Sequence, residues 1–66
     1  MNQHLKDAAA HAEGLRAALL SAYNAAVASG NGMAVYAIEL TLRDAVKVEQ
    51  CVNNLVAASE QERGGQ

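Results

Sequence analysis

Two histidines and an aspartate near the amino terminus are the residues of this chain best suited to hold a metal ion. His4, Asp7 and His11 recur at i, i+3 and i+7, so they share one side of a helix, and imidazole and carboxylate groups are common ligands of transition metals. Three ligands spread over two turns of a straight helix rarely close around an ion without a second element. The alternative is a solvated first turn in which Asp7 pairs with His11. We therefore expect neither a metal nor a cofactor.

A second set of polar residues follows one side of the carboxyl-terminal half and could bind a partner. We call it the polar stripe; its members recur every three or four residues and are Tyr36, Glu39, Arg43, Lys47 and Gln50, with Asn54 continuing the spacing. Glu39 and Arg43 form a favourable i,i+4 pair on a helix. Tyr36 beside Arg43 and Lys47 combines an aromatic anchor with cationic donors, as in many protein-binding surfaces. The stripe therefore indicates a plain solvated face, a protein-binding surface or a site for a small anion such as a nucleotide.

The sequence carries no arrangement of residues that is typical of an enzyme. Cys51 is the single cysteine, and a reactive thiolate needs a neighbouring base or cation; Lys47 is one turn away, but no histidine is near in the sequence. We expect Cys51 to pack, buried or half-buried, at the edge of a helical core. Ser-His-Asp sets, paired carboxylates and glycine-rich phosphate loops are absent from the sequence. We expect no catalytic residue and no enzymatic activity.

A single break determines the elements that position these residues. Ser29-Gly30-Asn31-Gly32 separates two alanine-rich segments that each show a helical apolar period, and the chain contains no proline. Glycine tolerates the left-handed conformation that ends many helices, and Asn31 is a suitable N-cap. The sequence predicts one all-α domain over residues 1–66, an antiparallel helical hairpin. Its parts are a helix over about 3–29, a turn over 30–32, a second helix over about 33–61 and a frayed tail over 62–66.

The apolar residues of both segments follow continuous heptads. In the first helix the predicted core comprises Leu5, Ala8, Ala12, Leu15, Leu19, Ala22 and Ala26, and it is widened on one side by Leu20, Tyr23 and Val27. In the second helix it comprises Ala34, Ile38, Thr41 or Leu42, Ala45, Val48, Val52, Leu55 or Val56, and Ser59. Glu49 falls beside this core, where a carboxylate is costly unless it is paired. A hairpin that turns at residues 30–31 brings Arg16 to this region, so we expect an Arg16–Glu49 or Arg16–Asp44 ion pair.

The opposite side of the first helix carries only small residues at spacings of three or four. This small-residue ridge consists of Ala10, Gly14, Ala17, Ser21, Ala25 and Ala28. A helix face that meets only water usually carries lysine, glutamate and glutamine instead. We predict that the ridge is an oligomer interface at which another helix approaches closely. The alternative is that alanine merely supplies helix propensity there.

Length and charge limit the classes of protein to which the chain can belong. A chain of 66 residues buries only about 60% of its unfolded surface, and with one cysteine it cannot form an internal disulfide, so self-association is the expected source of added stability. The net charge is −2 and the five basic residues are scattered, which disfavours nucleic acid as a partner. The sequence shows neither a long uncharged apolar run nor a signal-peptide core. We expect a cytoplasmic protein without membrane contact.

In size, hairpin form and continuous heptads the chain resembles the Rop-type plasmid RNA-binding proteins, whose hairpins dimerise into a four-helix bundle. The resemblance implies a dimer of that kind and RNA as a candidate ligand. The leading hypothesis is a small non-enzymatic hairpin that self-associates, most simply as a dimer, into a four-helix bundle or a larger helical oligomer. It would act by binding another protein, as the adaptors, inhibitors and assembly factors of bacteria and phages do. The alternatives are an oligomeric binder of a small anion such as a nucleotide and a Rop-like RNA-binding bundle.

Overall fold

The computed structural model describes residues 2–64, and the side chains of residues 3–61, as two helices packed side by side in an antiparallel hairpin. Helix α1 runs over Asn2–Ser29 and helix α2 over Gly32–Gly64. The hairpin is elongated, with principal extents of 54 × 15 × 12 Å. The predicted helical hairpin is confirmed. Residues 62–64 of the expected tail are helical, whereas Met1, Gly65 and Gln66 lie outside the described residues.

The turn between the helices is held by local hydrogen bonds that its residue types favour. The Gly30 amide donates to the Val27 carbonyl and the Asn31 amide to the Ala26 carbonyl, both at 3.1 Å, which is the double bond of a Schellman C-cap. Gly30 has a φ of +74°, in the left-handed region. Asn31 then caps α2, because its Oδ1 accepts a bond of 3.1 Å from the Ala34 amide.

Replacing Gly30 by alanine is expected to destabilise the hairpin by about 1–2 kcal/mol, the cost of a Cβ in the left-handed region. Gly32→Ala is the matched control, because Gly32 has no positive φ and a Cβ there would meet nothing within 4 Å. Urea unfolding followed by helical circular dichroism measures both variants. Equal stability of the two variants would show that the turn tolerates a side chain at position 30.

The helices face each other with a different rotation from the one expected. In heptad terms, the predicted core used positions a and d, whereas the observed contact uses a and e. The a positions are Leu5, Ala12, Leu19 and Ala26 in α1, and Ile38, Ala45, Val52 and Ser59 in α2. The e positions are Ala9, Arg16 and Tyr23 in α1, and Val35, Leu42, Glu49 and Val56 in α2. All of these residues are buried or half-buried.

The d positions were therefore wrongly predicted as core, with the exception of Ala34, which is half-buried. The exposed ones are Ala8, Leu15 and Ala22 in α1, and Thr41, Val48 and Leu55 in α2. Leu20 and Val27, which were expected to widen the core, are exposed as well. The physical reason for this rotation lies in the e positions of α1. When they face α2, the contact buries part of Tyr23 in place of the smaller Ala22. The same rotation brings Arg16 within reach of Glu49. At two places the sequence left a choice between neighbouring residues. The structure places Leu42 rather than Thr41, and Val56 rather than Leu55, on the side that faces α1.

The contact between the helices is thin. Among the described residues the buried apolar side chains are all alanines, Ala12, Ala26 and Ala45, and no large side chain is fully buried. Alanine offers little apolar area to remove from water. A compact monomer of this 6.9 kDa mass would expose about 4,000 Å², whereas the hairpin exposes 4834 Å². The elongated hairpin thus exposes about 800 Å² more than a compact monomer, and large apolar side chains such as Leu15, Val48 and Leu55 are among those exposed.

Candidate binding surface

The polar stripe lies on the outer side of α2 and is open to solvent over most of its length. Tyr36 is 66% exposed, so it takes no part in the helix–helix contact. Glu39 and Arg43 form the expected i,i+4 ion pair, with the guanidinium Nη2 3.0 Å from Oε2. Lys47 and Gln50 are also exposed. The helix thereby presents an aromatic ring, a fixed guanidinium and a free ammonium along one side.

A shallow open groove of about 400 Å³ runs along this part of α2. Its lining consists of Glu39, Leu42, Arg43, Val46 and Lys47. The groove therefore has an apolar floor with charged groups along its edges. Tyr36 and Gln50 lie about one turn beyond its two ends on the same side of the helix.

Two groove residues were not among the candidates from the sequence. Leu42 entered the sequence analysis only as a core residue, and Val46 was not assigned a role. Val46 follows Glu39 by seven residues, so it lies on the same edge of α2. From this spacing the sequence could have predicted an apolar residue beside the polar stripe.

Several polar groups of the stripe have no partner within the hairpin. Among residues 3–61, the Tyr36 hydroxyl, the Lys47 ammonium and the Gln50 amide make no hydrogen bond or ion pair with another side chain. Arg43 uses one nitrogen on Glu39 and keeps further donors, because a guanidinium carries five N–H groups. These groups are available to a partner without breaking any contact of the fold.

The expected ion pair across the hairpin forms between Arg16 and Glu49 rather than Asp44. The Arg16 Nε donates to the Glu49 Oε1 at 2.7 Å. The Glu49 side chain is only 17% exposed and that of Arg16 33%. Because both residues lie at e positions, this bond fixes the rotation of the two helices as well as their relative height. It is a structural contact and lies apart from the polar stripe.

Removing one partner of this pair is expected to cost about 1–3 kcal/mol, because the remaining charge is left partly buried and unpaired. Arg16→Ala and Glu49→Ala should each lower the urea midpoint. The double reversal Arg16→Glu with Glu49→Arg should recover most of the loss. The reversal is compared with the single variants Arg16→Glu and Glu49→Arg. If its loss of stability equalled the sum of their two losses, the two side chains would not be coupled.

Two other candidate sites are placed differently from expectation. Asp7 accepts a hydrogen bond of 2.9 Å from Gln3 Nε2, rather than pairing with His11. His4 and His11 are exposed, and the part of the chain that the structure describes holds no group of three or more metal-ligating side chains close enough to share an ion. Cys51 is exposed instead of buried or half-buried, because the rotation onto the e positions turns it away from α1.

All six residues of the small-residue ridge are exposed, on the outer side of α1. Gly14 lies at its centre, and a Cβ built there would meet nothing within 4 Å. The ridge therefore takes no part in the contact between α1 and α2. Its role in an oligomer stays a prediction.

Neither described helix contains an apolar stretch long enough to cross a bilayer. No protein-family model, no curated protein and no solved structure matches this chain. The function must therefore be inferred from the surfaces of the hairpin itself.

Proposed function

We propose that this chain is a non-enzymatic, self-associating helical hairpin that acts by binding another protein through the polar stripe. The observation that carries the proposal is the groove on α2. Its floor of Leu42 and Val46 is apolar, its edge carries Arg43 and Lys47, and the exposed ring of Tyr36 stands one turn away. An aromatic residue and an arginine around an apolar patch are the groups that dominate protein–protein binding energy.

The chemistry of the groove favours a partner with apolar and acidic side chains. An apolar side chain of the partner would cover Leu42 and Val46, and a carboxylate would meet Lys47, which has no counter-ion among the described side chains. A partner helix or an extended acidic segment can lie along an open groove of this kind. The geometry therefore fits an acidic, partly apolar protein segment.

A small anion is the second candidate, because Arg43 and Lys47 stand one turn apart on the same edge. Sites for small molecules, however, usually bury most of the ligand in a concave pocket. The groove on α2 is open and its floor is apolar, so it would cover little of a nucleotide. A protein partner, which brings its own surface, is the better fit.

Self-association into a four-helix bundle is the other part of the proposal. Its support is the thin contact between α1 and α2, in which the buried apolar residues among those described are all alanines, together with the exposed apolar residues of the d positions. Four antiparallel helices with a and d residues inside form a common stable architecture. A dimer of hairpins would supply the core that one hairpin lacks.

Affinity purification from the source cells with the tagged chain tests the binding function. The triple variant Tyr36→Ala, Arg43→Ala, Lys47→Ala should keep its helicity and its mass, because all three side chains are exposed. It should lose the captured protein. The matched control replaces exposed residues outside the stripe, Met33→Ala and Lys6→Ala, and should retain capture.

The other outcomes of this experiment are equally informative. Co-purification of a nucleotide, seen by its absorbance and lost in the triple variant, would favour the small-anion alternative. Co-purification of RNA would favour the Rop-like alternative. Capture of the same protein by the triple variant would contradict the assignment to the polar stripe.

A further inference from the structure

We infer that a second copy of this chain packs on one particular face of the hairpin, which we call the d face. It consists of Ala8, Leu15 and Ala22 of α1 and Thr41, Val48 and Leu55 of α2. This inference rests on the proposed self-association and specifies its interface. It differs from the expectation that the small-residue ridge is the interface.

The d positions of both helices lie on the same side of the hairpin. Lys6 and Glu60 each follow an a position by one residue, and their side chains form an ion pair of 3.8 Å across the two helices. The positions after a, the b positions, therefore share one face. In an antiparallel pair the d positions, which lie on the other flank of the a and e contact, must share the opposite face.

The two faces differ in charge. The b face carries Lys6 and Glu13 of α1 and Glu39 and Glu60 of α2, beside the exposed Leu20 and Val27. The d face has no charged residue among its six members. Its large residues are nonetheless open to solvent, with Leu15 54%, Val48 52% and Leu55 56% exposed. An uncharged, mainly apolar surface over the middle of a small helical protein indicates an interface.

The broad side of the hairpin on which the d face lies has the area that a dimer needs. The broad side of the hairpin measures 54 by 15 Å, a footprint of about 800 Å², and specific interfaces of standard size bury about 800 Å² per partner. The hairpin also exposes 4834 Å², which exceeds the surface of a compact monomer of its mass by a similar amount, about 800 Å². One additional hairpin would cover this excess.

A second copy is the occupant because the d face is complementary to itself. Its central residues, Leu15 and Val48, each precede one member of the Arg16–Glu49 pair, so they lie at nearly the same height. A two-fold axis that crosses both helices at this level sets Leu15 against Leu15 and Val48 against Val48 of the second copy. Ala8 then faces Ala22 of that copy, and Thr41 faces Leu55. Such an isologous contact closes as a dimer, buries a and d residues in one core and leaves the polar stripe on α2 exposed.

Matched variants with the same substitution on the two faces test the interface. Val48 and Val27 are both 52% exposed in the hairpin, the first on the d face and the second on the b face. Val48→Glu should weaken the dimer by at least about a hundredfold in dissociation constant, because two charges would be buried in one interface. Val27→Glu should leave the dissociation constant unchanged. Sedimentation equilibrium over a range of concentrations measures both.

If Val48→Glu fails to fold, the reactivity of an introduced thiol tests the same interface without placing a charge in it. In a Cys51→Ser background, Leu15→Cys and Leu20→Cys each place one thiol at a residue that is about half exposed in the hairpin. At concentrations far above the dissociation constant, the thiol at position 15 should react with a maleimide at least about tenfold more slowly than in dilute protein. The thiol at position 20 should react at the same rate under both conditions.

The outcomes separate this inference from the proposed self-association. A monomeric wild-type chain would overturn both. A dimer that survives Val48→Glu, or that protects position 20 rather than 15, would overturn the d face alone. A dimer lost on Gly14→Leu but not on Val48→Glu would assign the interface to the small-residue ridge. Protection of position 15 only after addition of a different protein would show that the d face binds a heterologous partner.

Discussion

Leu19→Asp is expected to abolish the cooperative fold. Leu19 is an a position in both the expected and the observed contact, and its side chain lies half-buried between the helices. Truncating a core leucine already costs about 2–5 kcal/mol, and an unpaired carboxylate adds the cost of its desolvation. The total stability of a domain of this size is of the same order. Far-ultraviolet circular dichroism on heating should show a low, non-cooperative signal.

Leu20→Asp is the matched control for this variant. Leu20 is the next residue in α1 and is 44% exposed on the b face. Its replacement should leave a cooperative transition close to that of the wild type. If Leu19→Asp instead melted like Leu20→Asp, position 19 would not be part of the core.

The stability of the wild-type chain is expected to depend strongly on its concentration. If two hairpins share one core, unfolding also separates the subunits, and a hundredfold dilution removes about 2.7 kcal/mol of stability per dimer. The urea midpoint should therefore fall clearly between two samples whose concentrations differ by about that factor. Gly30→Ala alters the turn and not the d face. Its urea midpoint should therefore be lower than that of the wild type but should depend on protein concentration in the same way.

A midpoint that does not change on dilution would contradict the shared core. It would mean that the contact between α1 and α2 is sufficient by itself, although the apolar residues that it buries among those described are all alanines. The Val48→Glu variant provides the comparison, since its midpoint should not vary with concentration if it stays folded as a monomer.

The helices and the turn could be predicted because their signals are local. Gly30 and Asn31 are the residue types that a Schellman cap and an N-cap require, and the structure uses them in those roles. The Arg16–Glu49 pair could also be predicted, because the position of the turn fixes which residues face each other. These features depend on neighbouring residues or on chain geometry alone.

The rotation of the helices could not be predicted because it depends on how many neighbours each helix has. Heptads with apolar a and d residues give the same sequence pattern whether two or four helices meet. With a single neighbour, α1 turns its e positions inward, since Tyr23 and the paired Arg16 fill the contact better than Ala22 and Leu15. The exposure of Cys51 follows from the same rotation.

The predicted binding residues stand where the sequence placed them, on one exposed side of α2, but the groove beside them was missed. Its floor residues, Leu42 and Val46, belong to positions that a period-based analysis assigns to the core or leaves unassigned. The spacing of Val46 from Glu39 could have placed an apolar residue beside the stripe. That Leu42 also lines the groove could be recognised only once the rotation of the helices was known.

Sedimentation equilibrium of the wild-type chain at micromolar concentration tests the central claim, that this hairpin completes its core by self-association, most directly. The account predicts a single species of twice the chain mass of 6.9 kDa, with dissociation on dilution. A well-folded species of 6.9 kDa that shows a cooperative melt would contradict it.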